Sequence, residues 1–443
     1  MATLRLVIII FSAATVFFQG PSMAALKEPN KPHAFILPVA KNMNSGLYSV
    51  AIGFGTKPTV STEFALDLGG RFPWYECFTP GYNSSSYRPI RYGSPKCKLA
   101  EDTSPLDCAV GVPVSPGCSN HSCQVASYNP SYSVGCGGGL AQDVMSFIST
   151  PDGSGLGSRF DSPPLIFACC SFDLIPSSDS SLGMLGLSRH VLSLPMQLSS
   201  AFKIPRKFAL CLPSKPKGSG YGDLFIGGGP YSLPPLSGDA SHLFASTPLL
   251  VNPVNERYKG VPSYEYFIGV KSIKIEGEAV PLKKSLLSIR KDGSGGTKLS
   301  MASPFTYFHP SIFEPFYEAF MAKATEKKMV QVWADDTTYI TCFDKKSIRR
   351  RGTNGPDDVP EIELVLQSGG IWRIHGSDYM VDLDERKTCL QLFDGGPDAV
   401  AGIVIGTRLL EDNLIEIDLE SSKFSVTSSL LVHNTSCSRF RTA

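Results

Sequence analysis

The 443-residue sequence carries 41 lysines and arginines against 40 aspartates and glutamates, a formal net charge of +1. That balance argues against a nucleic-acid partner, which calls for a basic excess or patch. With 41 glycines, 34 prolines and 18% charged residues, the chain suits a β-rich protein with many turns, long enough for two lobes with full cores.

Residues 1–24 read as a secretory signal. Arg5 supplies the positive end, Leu6 to Phe18 the apolar run, and Ser22-Met23-Ala24 a small-residue cleavage site. The run is shorter than the roughly 20 residues that a membrane span requires. No later segment is apolar enough to cross a bilayer, and the polar tail from Ser436 to Ala443 does not fit a lipid-anchor signal. A soluble, secreted protein is expected.

Cysteine usage agrees with export. The twelve are Cys77, Cys97, Cys108, Cys118, Cys123, Cys136, Cys169, Cys170, Cys211, Cys342, Cys389 and Cys437. Six fall between Cys77 and Cys136, so residues 77–136 are expected to form a loop-rich disulfide insert. His121, beside Cys118 and Cys123, lacks the paired spacing of a closed zinc shell. No metal and no cofactor is expected. Sequons at Asn83, Asn120 and Asn434 become glycan acceptors once the chain is secreted.

Along the chain, Tyr48 to Gly55 alternates as a strand and reaches a turn, and Thr59 to Leu66 leads into Asp67-Leu68-Gly69-Gly70. After the cysteine-rich insert, Gly139 to Phe147 alternates again. The glycine run Gly135 to Gly139 is expected to be pinned by Cys136, and Tyr128 and Tyr132 both lie near it. Gly183 to Arg189 followed by Leu192 to Leu198 predicts a buried strand and a short helix. Phe208 to Leu212 and Gly222 to Gly228 predict paired strands around a Gly/Lys/Ser-rich turn. An N-terminal lobe over 25–205 and a C-terminal lobe over 206–443 are expected.

The second lobe repeats the plan. Tyr264 to Val270 and Lys271 to Ile275 predict strands, and Gly293 to Gly296 feeds a turn at Ser300-Met301-Ala302-Ser303. Pro310 to Ala324 has helical spacing of Ile312, Phe316 and Phe320. Cys342 and Cys389 bracket an Arg/Asp-rich loop from Ile348 to Asp358 and strands at Ile362 to Leu366 and Ile371 to Ile374. Buried strands follow at Ala401 to Thr407, Leu414 to Leu419 and Lys423 to Val426.

The two turns echo each other, one with Asp67 and the other with Ser300. Two close carboxylates share one proton, so that one acts as base while the other acts as acid. A serine hydroxyl takes neither role in neutral or acidic water. Ala302 also places a Cβ where a glycine would allow close approach or positive φ. The catalytic dyad is therefore expected to be incomplete, with Asp67 kept for a structural role and the chain not an enzyme.

In order, DLGG at Asp67, GMLGLSR at Gly183, FALCL at Phe208, GDLFIGGG at Gly222, GTKLS at Gly296, IHGSDY at Ile374 and GIVIGT at Gly402 resemble the pepsin-like aspartic peptidases over nearly the whole mature chain. The resemblance is narrowest to the plant branch without catalytic activity: extracellular dermal glycoproteins, basic seed globulins, and inhibitors of xylanases and xyloglucan-specific endoglucanases. It implies an all-β, bilobal pepsin-like fold in which the Tyr128 and Tyr132 region forms the flap. It also implies an apoplastic or cell-wall protein, monomeric, whose partners are microbial glycoside hydrolases.

In such inhibitors, loops outside the peptide cleft make the contacts. Ser428 to Cys437 is similar to the loop whose histidine enters a family-11 xylanase, with His433 at the matching place. Arg349, Arg350 and Arg351 fall in a loop similar to one that presents an arginine to endoglucanases. The rival expectations are a storage or peptide-binding glycoprotein without a glycosidase target, like the seed globulins, and an active aspartic endopeptidase with another acid standing in for Ser300.

Overall fold

The computed structural model describes residues 32–57, 59–78, 82–108, 115–151, 153, 155–170, 181–217, 219–333, 339, 341–349 and 358–439. The expected signal segment, Arg350 and Arg351 lie outside them. Strand is the main regular structure of the described chain, which has the two-lobed pepsin-like architecture.

Six successive antiparallel strands of a larger sheet tie the two ends of the described chain together. In spatial order they are Ala34–Lys41, Gly222–Ile226, Lys207–Cys211, Leu414–Asp418, Lys423–Val426 and Ala245–Leu250. The first of these was not anticipated. Pro38 lies inside it and demotes it by local reading, but Ile36 and Leu37 are buried against the partner strand. Cys211–Cys437 staples the end of the described chain onto the same sheet.

In the N-terminal lobe, Tyr48–Phe54 pairs antiparallel with Val60–Asp67 and buries Tyr48, Val50, Ile52 and Phe54 on one face, the period of a half-buried strand. The expected strand from Gly139 to Phe147 is two strands, Val134–Asp143 and Met145–Thr150. The break has a local cause. Asp143 Oδ1 accepts from Val144 N at 2.7 Å, and Val144 O accepts from Gly55 N at 2.9 Å. The ladder therefore changes partners there, from Leu165–Cys170 to Ala34–Lys41 and Tyr48–Phe54.

The insert is less self-contained than its cysteine density implies. Cys97–Cys123 and Cys108–Cys118 close within it, whereas Cys77 and Cys136 reach out to Cys169 and Cys170 on a buried strand. Gly138 is a glycine for steric reasons: a Cβ there would lie 1.5 Å from Cys169 O.

In the C-terminal lobe, the strand expected from Tyr264 to Val270 shortens to Phe267–Ile268, because the residues before it are engaged across the lobes. The helix Pro310–Glu326 begins with proline at its first position, and His309 Nδ1 accepts from Ser311 N at 3.2 Å. Ile312, Phe316, Phe320 and Ala324 are its buried face, at four-residue spacing. Phe320 packs on Phe316, Phe343 and Tyr379. Phe320→Ala is expected to lower unfolding free energy by about 3–5 kcal/mol, to be read as a drop in urea midpoint at unchanged slope.

Candidate functional site

Both turns are built alike. Val60–Asp67 runs parallel to Gly183–Gly186, with Asp67 opposite Gly186, and Asp67 O accepts from Leu187 N at 2.8 Å. Thr297–Leu299 runs parallel to Ile403–Ile405, and Ser300 N donates to Ile405 O at 2.9 Å. Asp67 Oδ1 accepts from Gly69 N at 2.8 Å, and Ser300 Oγ accepts from Ala302 N at 3.2 Å. The serine thus keeps the turn's hydrogen bond and drops its charge.

The crowding in each turn falls on other positions than Ala302. A Cβ on Gly186 would lie 2.4 Å from Gly70 O, and one on Gly406 2.1 Å from Phe305 O. Gly69, which Ala302 matches, has no positive φ, and Ala302 has none either. A Cβ on Gly69 would meet the Glu265 side chain at 3.2 Å and Asp67 Oδ1 at 3.5 Å, and no backbone atom is among its nearest neighbours. Ala302 is expected from the sequence to place a Cβ where glycine would allow close approach or positive φ; the matching Gly69 uses neither, so the turn accepts alanine.

Asp67 is 7% exposed. Burial pushes its carboxyl up to about 6, against the lowering effects of the Gly69 amide and the Arg257 charge; the Glu265 charge adds to the rise. Glu265 is the carboxylate that sequence reading missed, because it lies far along the chain from Asp67. Lys298 Nζ holds both its oxygens, at 3.2 and 3.3 Å.

The flap region is the hairpin Ser122–Asn129 and Val134–Asp143. The structure distinguishes the two candidate tyrosines. Tyr132 is at the exposed tip, and Tyr128 faces the Asp67 turn. The Arg257 guanidinium sits 3.8 Å from the Tyr128 ring centroid, and that of Arg71 sits 3.7 Å from the Tyr258 ring. Arg257 and Tyr258 belong to a strap, residues 252–264, that crosses from the C-terminal lobe. The cavity left beside Asp67, lined also by Gly70, Arg71, Tyr128, Arg257 and Tyr258, is about 30 Å³. That is room for a water or two, whereas ligand pockets span roughly 300–1,000 Å³.

The two expected inhibitor loops lie at one depression. His433 is exposed at the end of the 3₁₀ turn Leu430–His433, followed by Asn434 with φ +56°. Arg349 is exposed, and its carbonyl accepts from Asp358 N at 2.8 Å. Their neighbours Leu431 and Ile348 line a single cavity of about 340 Å³, together with Asp378, Asp382, Arg408 and Glu411. Burial pushes Asp378 up to about 7. The three sequon asparagines Asn83, Asn120 and Asn434 are exposed. Among the described residues no cluster of three or more His, Cys, Asp or Glu could hold a metal, and no helix is long and apolar enough to cross a membrane.

Comparison with known proteins agrees with this architecture. Residues 48–228 match the family model "Xylanase inhibitor N-terminal" and residues 265–428 match "Xylanase inhibitor C-terminal". The chain is 37% identical to "Probable aspartic proteinase GIP2" of Nicotiana benthamiana, covering 93% of this chain and 92% of that one. It is 34% identical to "Gamma conglutin 1" of Prunus dulcis, covering 93% and 90%. The crystal structure of edgp superposes with a TM-score of 0.87 at 38% identity, over 93% of this chain and 99% of that one.

The raised Asp67 carboxyl has a pH signature. The folded state holds this proton more tightly than the unfolded chain does. Its stabilising effect is thus complete below the ordinary value of 3.8 and is lost as pH rises through about 6. Asp67→Asn keeps the acceptor for Gly69 N without the buried charge. It is expected to match the wild type near pH 3.5 and to exceed it by about 1–3 kcal/mol at pH 7, as read from denaturant midpoints at the two pH values.

Proposed function

Because the chain belongs to the plant family of pepsin-like proteins built from xylanase-inhibitor N- and C-terminal domains, we propose that it is a secreted, proteolytically inactive member that binds and inhibits microbial cell-wall glycosidases, endoxylanase or xyloglucan-specific endoglucanase. The observation that carries this reading is the common cavity of the two candidate loops: Ile348 and Leu431 line it, and Arg349 and His433 are exposed beside them. Glycoside hydrolases work with a pair of carboxylates flanking the scissile bond. A cation brought against that pair is attracted to it and halts the acid–base cycle.

Inactivity as a peptidase is supported by chemistry and by space. Ser300 supplies no ionisable partner to Asp67. Glu265, a carboxylate beside the Asp67 turn, is committed to Lys298. With the strap seated, the 30 Å³ cavity beside Asp67 admits no peptide. The relative named gamma conglutin favours a second reading, a storage glycoprotein of the extracellular space with no glycosidase target.

Two experiments test the proposal. Against a panel of purified fungal and bacterial xylanases and endoglucanases, the glycosylated protein is expected to inhibit one class. Arg349→Ala or His433→Ala should then raise its inhibition constant about tenfold or more, with thermal midpoints unchanged. A blank panel with folded protein favours the storage reading, and inhibition indifferent to both substitutions removes the site assignment. Separately, Ser300→Asp is expected to gain no peptidase activity at acid pH, since the strap still fills the groove. Measurable peptide cleavage by that variant would overturn the spatial argument.

A further inference from the structure

The strap is more than a plug. Its base is fixed on the N-terminal lobe: Arg189 Nη2 donates to Leu250 O at 3.1 Å and to Glu265 O at 3.4 Å, and Tyr266 Oη donates to Leu187 O at 2.7 Å. Tyr264 hydrogen-bonds Glu101, also in that lobe. The loop is closed on itself by Ser263 N donating to Asn252 O at 2.9 Å. Asn255 organises its tip, Oδ1 accepting from Arg257 N and Tyr258 N and Nδ2 donating to Pro262 O. The fold of the tip thus rests on its own hydrogen bonds, and two stacked pairs hold it to the groove.

The receiving side is built in advance. Arg71 is 4% exposed, and its Nη1 and Nη2 donate to Ala100 O at 2.9 Å and Ala126 O at 3.3 Å, so its guanidinium plane is set before any ring covers it. Tyr128 is placed by the hairpin that Cys97–Cys123 and Cys136–Cys170 anchor. Asp67 adds negative charge where the Arg257 guanidinium arrives. On the strap, by contrast, Arg257 is exposed and Tyr258 half-buried. Side chains that remain in contact with solvent while stacked are released at low cost, since each such pair is weak.

We propose that the strap is a built-in ligand, and that the groove between Tyr128, Arg71 and Asp67 is a peptide-binding site for a basic residue followed by an aromatic one, occupied in the resting protein by Arg257 and Tyr258. The Tyr128 ring takes the guanidinium, and the Arg71 guanidinium takes the ring. When the tip lifts on its fixed base, a peptide from another chain with the same pair fills the same two places.

The test uses the full-length protein, the double variant Arg257→Ala/Tyr258→Ala, and a labelled synthetic peptide with the sequence of residues 252–264. The peptide is expected to bind the double variant at least about tenfold more tightly than the wild type. A peptide with alanine at its arginine and at the tyrosine that follows it should bind neither. Amide exchange in the flap hairpin should quicken about tenfold in the variant and slow again with peptide. If the double variant does not fold, the single variants Arg257→Ala and Tyr258→Ala, each removing one stacked pair, give the same readout with a smaller shift. No preference of the peptide for the variants overturns the proposal, and so does faster exchange without peptide binding, which would make the strap a brace only.

Discussion

A backbone N–H two residues past each turn has to be satisfied inside the protein, and one side-chain oxygen does it in each lobe. Asp67 meets Gly69 and Ser300 meets Ala302. Around this hydrogen bond the chain passes so close to its parallel neighbour strand that Gly186 and Gly406 admit no Cβ. Any short side chain with an acceptor oxygen preserves the turn, whereas only a carboxylate preserves acid–base chemistry. The second turn therefore keeps its shape with a serine in that position.

Burial makes the Asp67 carboxylate an electrostatic burden. A buried, unpaired carboxyl raises its proton affinity, and the surroundings of Asp67 answer in the ways open to them: an amide hydrogen bond and the Arg257 guanidinium. That same arginine rests on the Tyr128 ring. Charge compensation and occlusion of the groove are thus one arrangement, and the strap links the disulfide-anchored flap hairpin of one lobe to the base of the other.

The exposed face of the C-terminal lobe has a different physical character. Arg349 and His433 are exposed there, Asp358 N closes on Arg349 O, and the neighbouring Ile348 and Leu431 line a cavity of mixed charge. The Asp67 groove suits an inserted segment.

Much of this was legible in the order of residues. The two-residue alternation of Tyr48–Phe54, the four-residue spacing of Ile312, Phe316, Phe320 and Ala324, and the paired turns at Asp67 and Ser300 are local patterns, and local geometry alone turns them into strand, helix and turn. The even cysteine count and the glycine run before Leu140 were visible as constraints without partners. Tertiary structure decided everything that depends on which distant residues meet. It sent Cys77 and Cys136 to Cys169 and Cys170, kept Ala34–Lys41 as a strand despite Pro38, and chose Tyr128 over Tyr132. It also set Glu265 beside the Asp67 turn and folded Arg257 and Tyr258 into the groove. An exposed arginine in a loop carries no local mark of its aromatic partner, because a cation–π contact is fixed by where two chain segments arrive in space and leaves no period or spacing in either one.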